Sequence, residues 1–185
     1  MTDQAIPMEG NLQETKPSAQ RAADIKKPVI QRRNDTMLRK LLATSNDGTL
    51  TLLRLVLGVV FFMHGSQKML GWFGGYGFSG TMGFFTKMMH IPAPLAVLAI
   101  LAEFLGGIGL LVGVLSRVAA FGITTNMVVA ILLVHAPNGF FMNWTGQQKG
   151  EGFEYHLLTI AVAIVLMVRG GGAFSVDRAL SSKAE

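Results

Sequence analysis

APLAVLAILAEFLGGIGLLVGVL, residues 93–115, is the stretch that decides the fold, because Glu103 is its one charged residue among 23. A helix crosses the hydrocarbon core of a bilayer with about 17–25 mostly apolar residues. A single β-strand cannot take the place of this helix, since lipid offers no hydrogen-bond partner for its backbone N–H and C=O groups. We therefore predict a transmembrane helix here, with Glu103 near its middle.

Three further apolar stretches have the same character and are bounded by polar, proline or glycine residues. They run over residues 49–70, 118–136 and 153–169, and the last is barely long enough to cross. The four together predict an all-α fold, an integral membrane four-helix bundle. We assign residues 48–180 to this membrane domain.

The polar ends of the chain differ sharply from the membrane domain. Residues 1–48 hold eight of the 16 Lys and Arg residues and six of the 11 Asp and Glu residues. Such a segment buries too little apolar surface to fold, so we predict a disordered tail over residues 1–47. Residues 181–185 form a short C-terminal tail. The absence of cysteine excludes disulfides, thiolate nucleophiles and Cys-ligated clusters.

The distribution of basic residues predicts the orientation. With the N-terminus inside, twelve Lys and Arg residues are cytoplasmic, and three, Lys68, Lys87 and Lys149, are outside. This bias follows the positive-inside rule and predicts that both termini are cytoplasmic. We attribute the net charge of +5 to this topology and expect no nucleic acid as a partner.

Polar residues inside membrane spans are costly and mark candidate ligand-binding or proton-relay positions. The candidates are Arg54, His64, Lys68, Glu103, Asn126, His135, Asn138, Glu154 and His156. The first three fall within an arc of about 80° on one helix face. A rise of about 1.5 Å per residue predicts that Glu103 lies between Arg54 and His64 in depth and pairs with one of them. Whether such a pair only fixes helix register or has a chemical role stays open.

Five of these candidates lie toward the predicted outer surface, beside an aromatic connection over residues 71–91. They are His64, Lys68, His135, Glu154 and His156. A quinone fits such a site, because its head group needs a few hydrogen-bond partners and apolar walls. A metal ion held by His64, His135 and His156 is a disfavoured alternative, as is haem. We assign no catalytic residue.

Blocks along the whole membrane domain resemble the DoxX family of small bacterial membrane proteins. They are LRL at 53–55, HGSQKMLGWFGG at 64–75, AEFLGG at 102–107, SR at 116–117, HAPNGF at 135–140, EY at 154–155, GGG at 170–172 and SVD at 175–177. Ser116 departs mildly from the family, which often has Thr before the arginine. The resemblance covers about residues 50–180 and implies a four-helix protein of the bacterial inner membrane. It also implies a membrane partner of redox enzymes, since the family is named after a subunit of a terminal quinol oxidase.

These features predict a membrane subunit or anchor of a quinone-linked or thiol-stress redox complex. The lipid bilayer, a soluble redox enzyme and a second copy of the chain are the expected partners. Two alternatives stay open: a transporter or permeability factor whose path Arg54 and Glu103 would line, and a scaffold that recruits soluble enzymes. An autonomous enzyme is not indicated, because the sequence shows no nucleophile with a neighbouring base at a recognisable spacing.

Overall fold

The computed structural model describes residues 37–182, and every regular element in this range is helical. The longer helices are α1 (Gly48–Leu70), α2 (Gly77–Gly83), α3 (Ala93–Val112), α4 (Ser116–Ala130), α5 (Glu154–Arg169) and α6 (Val176–Ser182). Residues 37–42 are also helical. The predicted all-α class is confirmed. The predicted disordered tail lies for its first 36 residues outside the described range, as do residues 183–185.

Within the described residues, three helical stretches are long and apolar enough to cross a membrane. They are Gly48–Leu70, Ala93–Val112 and Ser116–Asn138, the last of which extends α4 through two further turns. Helix α5 has 16 residues, a length of about 24 Å, and is too short to qualify. The fourth predicted span is therefore a shorter helix that packs in the bundle with three helices of spanning length.

Close packing of α1 against α3 depends on glycines in both helices. A Cβ atom on Gly65 would collide with the backbone of Phe104, and one on Gly107 would collide with the backbone of Phe62. Small residues allow such close approach of helices in lipid. Helix α4 packs against both α3 and α5. The buried core between the helices consists of Leu57, Phe61, Leu110, Ala120, Ile123, Met127, Ala163 and Leu166.

The two ends of the bundle are built differently. We call the end that holds Asp47, Gly113 and Asp177 the base, and the opposite end, with residues 71–92 and 139–153, the loop end. At the base the Asp47 carboxylate accepts a hydrogen bond from the Thr49 backbone N–H at 2.8 Å and caps α1. The Thr44 hydroxyl accepts a hydrogen bond from the Gly172 N–H at 2.7 Å. Residues just before α1 are thus attached to the base.

Two π-helical turns shape the loop end. One, Phe84–Met88, follows α2 in the aromatic connection, and the other, Ile131–His135, continues α4. A π turn inserts an extra residue per turn and often occurs at functional sites. Both turns contribute side chains to the cavity described next.

Candidate functional site

A cavity of about 450 Å³ lies at the loop end, enclosed by α1, α3, α4, α5 and the two connections. Six of the nine predicted site residues line it: His64, Lys68, Glu103, Asn126, His135 and His156. Apolar side chains form most of the remaining wall, among them Phe61, Phe84, Phe85, Met89, Ile91 and Leu133. Largely apolar walls with a few convergent polar groups are typical of sites for small organic ligands.

Glu103 is the polar centre of this cavity. Its carboxylate is buried and forms an ion pair with the Lys68 ammonium, whose side chain is 27% exposed. The Asn126 amide donates to the Ala99 carbonyl at 2.8 Å and lies 3.4 Å from the second Glu103 oxygen. In an apolar cavity an unpaired carboxylate would be costly, and Lys68 and Asn126 compensate and orient the Glu103 carboxylate.

His135 and His156 form a second polar group of the cavity. Their ring centroids are 4.0 Å apart with planes tilted by 43°. The His135 Nδ1 lies 2.8 Å from the Glu151 carbonyl oxygen, which only accepts hydrogen bonds. Nδ1 must therefore carry a proton in this contact.

Two buried polar atoms on α5 have no hydrogen-bond partner of normal geometry among the described residues. They are the Nδ1 of His156, a residue only 6% exposed, and the hydroxyl of Tyr155, which lies near Thr159. Buried polar groups are nearly always satisfied, so such exceptions point to a missing partner. Tyr155 was absent from the sequence prediction, because a tyrosine near the end of a span is ordinarily an interfacial residue.

His64 lines the cavity but does not form the predicted pair with Glu103. Lys68 lies one helical turn further along α1 and forms the ion pair with the Glu103 carboxylate instead. His64 and Lys68 still share one helix face, as the spacing of four residues predicts.

The predicted Arg54–Glu103 pair is wrong, because Arg54 belongs to the base. Its guanidinium is 1% exposed and donates to the carbonyl oxygens of Leu110, Leu111 (2.8 Å), Gly171 (2.9 Å) and Phe174 (2.8 Å). These acceptors come from the end of α3 and from the turn after α5. Arg54 thus joins three segments of the chain at the base.

The depth estimate failed because α1 and α3 do not start and end at the same level. Gly113, in the left-handed turn after α3, lies against the Arg54 guanidinium, whereas Gly65 faces Phe104. Eleven residues separate Arg54 from Gly65 along α1, which is about 16 Å. Glu103 is therefore near the loop end, and the apolar core separates it from Arg54.

Asp177 provides the negative charge of the base. It is 1% exposed, and its two oxygens accept hydrogen bonds from the backbone N–H groups of Leu115 (2.7 Å) and Ser116 (2.8 Å) at the start of α4. A carboxylate at a helix N-terminus is favourable through both hydrogen bonds and the helix dipole. It also lies close enough to Arg54 to attract it.

Asn138 and Glu154, the last two predicted residues, lie outside the cavity wall and organise the connection over residues 139–153, which contributes Met142 and Glu151 to that wall. The Asn138 amide donates to the Glu151 carbonyl at 3.1 Å. The Glu154 carboxylate accepts from the Met142 N–H at 3.1 Å and from the Trp144 indole at 3.2 Å. Both residues therefore support the loop rather than the site directly.

The described residues contain no group of three His, Asp or Glu side chains placed to share one metal ion. His135 and His156 are neighbours, with ring planes tilted by 43°, but no third such side chain joins them among the described residues.

Apolar helices of membrane-spanning length, packed around a cavity that collects most of the intramembrane polar residues, define an integral membrane helix-bundle protein. Residues 49–136 match the model of the DoxX family, so this segment is similar to that family, in agreement with the resemblance of the sequence blocks. The matched segment includes Arg54, Lys68, Glu103 and Asn126.

Two relatives are similar to the chain over most of their own length. The chain is 29% identical to "Putative oxidoreductase CatD" of Bacillus subtilis (strain 168) over 119 residues, 64% of this chain and 78% of the relative. It is 27% identical to "Inner membrane protein YqjF" of Escherichia coli (strain K12) over 130 residues, 70% of this chain and 90% of the relative. No solved structure matches the chain significantly.

Proposed function

We propose that the protein is a membrane subunit or anchor of a quinone-linked redox system and that its loop-end cavity binds the quinone head group. The unsatisfied Nδ1 of His156, in a wall that is apolar apart from a few polar groups, carries this proposal. The name of one relative, a putative oxidoreductase, points in the same direction. The redox character rests on that name and on the chemistry of the cavity together.

The residues of the cavity suit a quinone. Its two carbonyl oxygens need hydrogen-bond donors, and the Tyr155 hydroxyl and one tautomer of His156 supply them. The phenyl rings of Phe84 and Phe85 provide apolar surface for the flat ring. A quinone would supply reversible transfer of two electrons and two protons. Glu103 is the proposed proton acceptor, held in place by Lys68 and Asn126.

Titration of the purified protein in detergent with a short-chain ubiquinone or menaquinone analogue tests this function. We expect saturable binding that weakens about tenfold in Tyr155→Phe and in Glu103→Gln, the effect of one lost hydrogen bond in a buried site. The matched control is His90→Asn, since His90 is exposed, has a left-handed backbone that Asn tolerates, and does not line the cavity. Binding that is absent, or equal in all four proteins, would contradict the proposal.

The transporter alternative has less support than quinone binding. Its two path residues, Arg54 and Glu103, lie at opposite ends of the bundle, with Leu57, Phe61 and Leu110 packed between them. Arg54 also has its donors engaged by carbonyl oxygens, which leaves little capacity for a passing solute.

We further propose that the membrane is the bacterial inner membrane and that both termini are cytoplasmic. Arg117, Arg169 and Arg178 at or near the base support this orientation. The name of the second relative supports the membrane assigned. A soluble redox enzyme that exchanges electrons with the bound quinone completes the proposal, and a homo-oligomer is compatible with it. Co-purification of such an enzyme with the detergent-extracted chain tests the partner.

Single-cysteine labelling tests the orientation, because the chain has no cysteine of its own. A membrane-impermeant maleimide is added to cells whose outer membrane has been made permeable. It should label Thr145→Cys in the connection over residues 139–153 and leave Leu180→Cys unlabelled. Both positions are exposed, so lysis should make the two equally reactive. The reverse pattern in intact cells would assign the opposite orientation.

A further inference from the structure

The Lys68 amine lies next to a buried carboxylate inside the loop-end cavity, whose walls are largely apolar. Its ammonium pairs with Glu103, and both side chains line the loop-end cavity with Phe84, Phe85 and Met89. We propose that this site captures hydrophobic aldehydes as a Schiff base on Lys68, with Glu103 as the proton acceptor and the counter-ion. This inference goes beyond quinone binding and does not depend on it.

The charge balance of the cavity favours a neutral carbonyl compound. Lys68 and Glu103 already neutralise each other, and the buried His156 is not paired with any acid. An anionic ligand would have to compete with Glu103 for Lys68, whereas an aldehyde brings no charge into the apolar cavity. The apolar walls would hold the alkyl chain of the aldehyde by excluding it from water.

The reaction balances with the two side chains alone. Glu103 takes a proton from the Lys68 ammonium, which frees the nitrogen lone pair to form a C–N bond with the aldehyde carbon. The former carbonyl oxygen takes one proton from the amine nitrogen and one from Glu103. It then leaves as water, and the C=N bond forms. The product is a positively charged imine, and Glu103, again a carboxylate, is its counter-ion. Ammonium plus aldehyde thus gives iminium plus water, with no oxidant or reductant.

Two neighbouring features suit this role. The Asn126 amide lies 3.4 Å from one Glu103 oxygen and holds the carboxylate from the side opposite to Lys68. Water-poor surroundings favour an imine, since its formation releases water and its hydrolysis consumes water.

Reductive trapping on the full-length protein tests the proposal. The protein in detergent micelles is incubated with decanal and sodium cyanoborohydride, and each lysine is quantified by peptide mass spectrometry. Lys87 and Lys149 are internal controls, because both are exposed and neither lines the cavity. We expect decanal to modify Lys68 about tenfold faster than either control lysine, the effect of a bound and oriented reactant.

Further arms separate a specific site from a merely reactive amine. Excess decanol should protect Lys68 and leave Lys149 unaffected, and glyceraldehyde, which is polar, should show no preference for Lys68. Glu103→Gln should slow trapping at Lys68 and leave trapping at Lys149 unchanged. Modification of Lys68 no faster than Lys149, or no protection by decanol, would overturn the inference. Neither result would bear on quinone binding, which has its own titration.

Discussion

Replacing Arg54 with methionine should lower the free energy of unfolding by about 3–5 kcal/mol, the usual result of removing one partner from a buried ionic network. The guanidinium satisfies four backbone carbonyl oxygens and compensates the charge of Asp177. Methionine fills similar volume but donates nothing, so these acceptors would stay buried and unpaired. Thermal unfolding in detergent should show a midpoint roughly 10 °C lower.

Two further variants identify the cause of this loss. Arg54→Lys keeps the charge but offers one compact ammonium in place of the planar guanidinium, so it should recover only part of the stability. Arg169→Gln removes an exposed arginine at the end of α5 and should leave the midpoint within about 1 °C of the wild type. If the Arg54→Met protein were as stable as the Arg169→Gln protein, the hydrogen bonds described for Arg54 at the base would be wrong.

Gly107→Val should prevent the close packing of α1 against α3. A side chain at this position would overlap the backbone of Phe61 and Phe62, which cannot move as a flexible side chain can. Overpacking usually costs about 1–3 kcal/mol, and more where backbone must shift. Since the same pair of helices holds Lys68 and Glu103, we expect Gly107→Val to lose both thermal stability and ligand binding.

Gly83→Ala is the matched control for this prediction. A Cβ atom on Gly83 would meet no heavy atom within 4 Å, and its backbone is helical. The substitution should be neutral or stabilise the protein by up to about 1 kcal/mol, because it restricts the unfolded chain. Equal behaviour of Gly107→Val and Gly83→Ala would show that α1 and α3 are further apart than described.

Hydropathy and helix-breaking residues were sufficient to predict the three helices of spanning length and α5, but not the shorter helices. Pro92 and Pro94 bound the start of α3, and glycines follow α5, because these residues act locally on the backbone. The end of α3 was predicted three residues too late. Gly113 adopts its left-handed turn within a base formed by Arg54 and Asp177, contacts that come from distant parts of the sequence.

The members of the site were easier to predict than their pairing. His64, Lys68, Glu103 and Asn126 stood out because polar groups are rare and costly inside a membrane. Pairing depends on how far one helix is shifted along its neighbour. The glycine contacts set this shift, and a depth calculated from a constant rise per residue does not reveal it. Tyr155 belonged to one of the family-like blocks but was not predicted as a site residue, since a tyrosine at the end of a span is common.

Photo-affinity labelling with an azido-quinone, followed by peptide mapping, shows whether the intramembrane polar residues form one ligand site at the loop end. A single site there predicts crosslinks within residues 61–68, 84–91, 126–135 and 151–156, all competed by unlabelled quinone. Competed crosslinks confined to the base, near Arg54 and Asp177, would contradict it, as would labelling that excess quinone does not reduce.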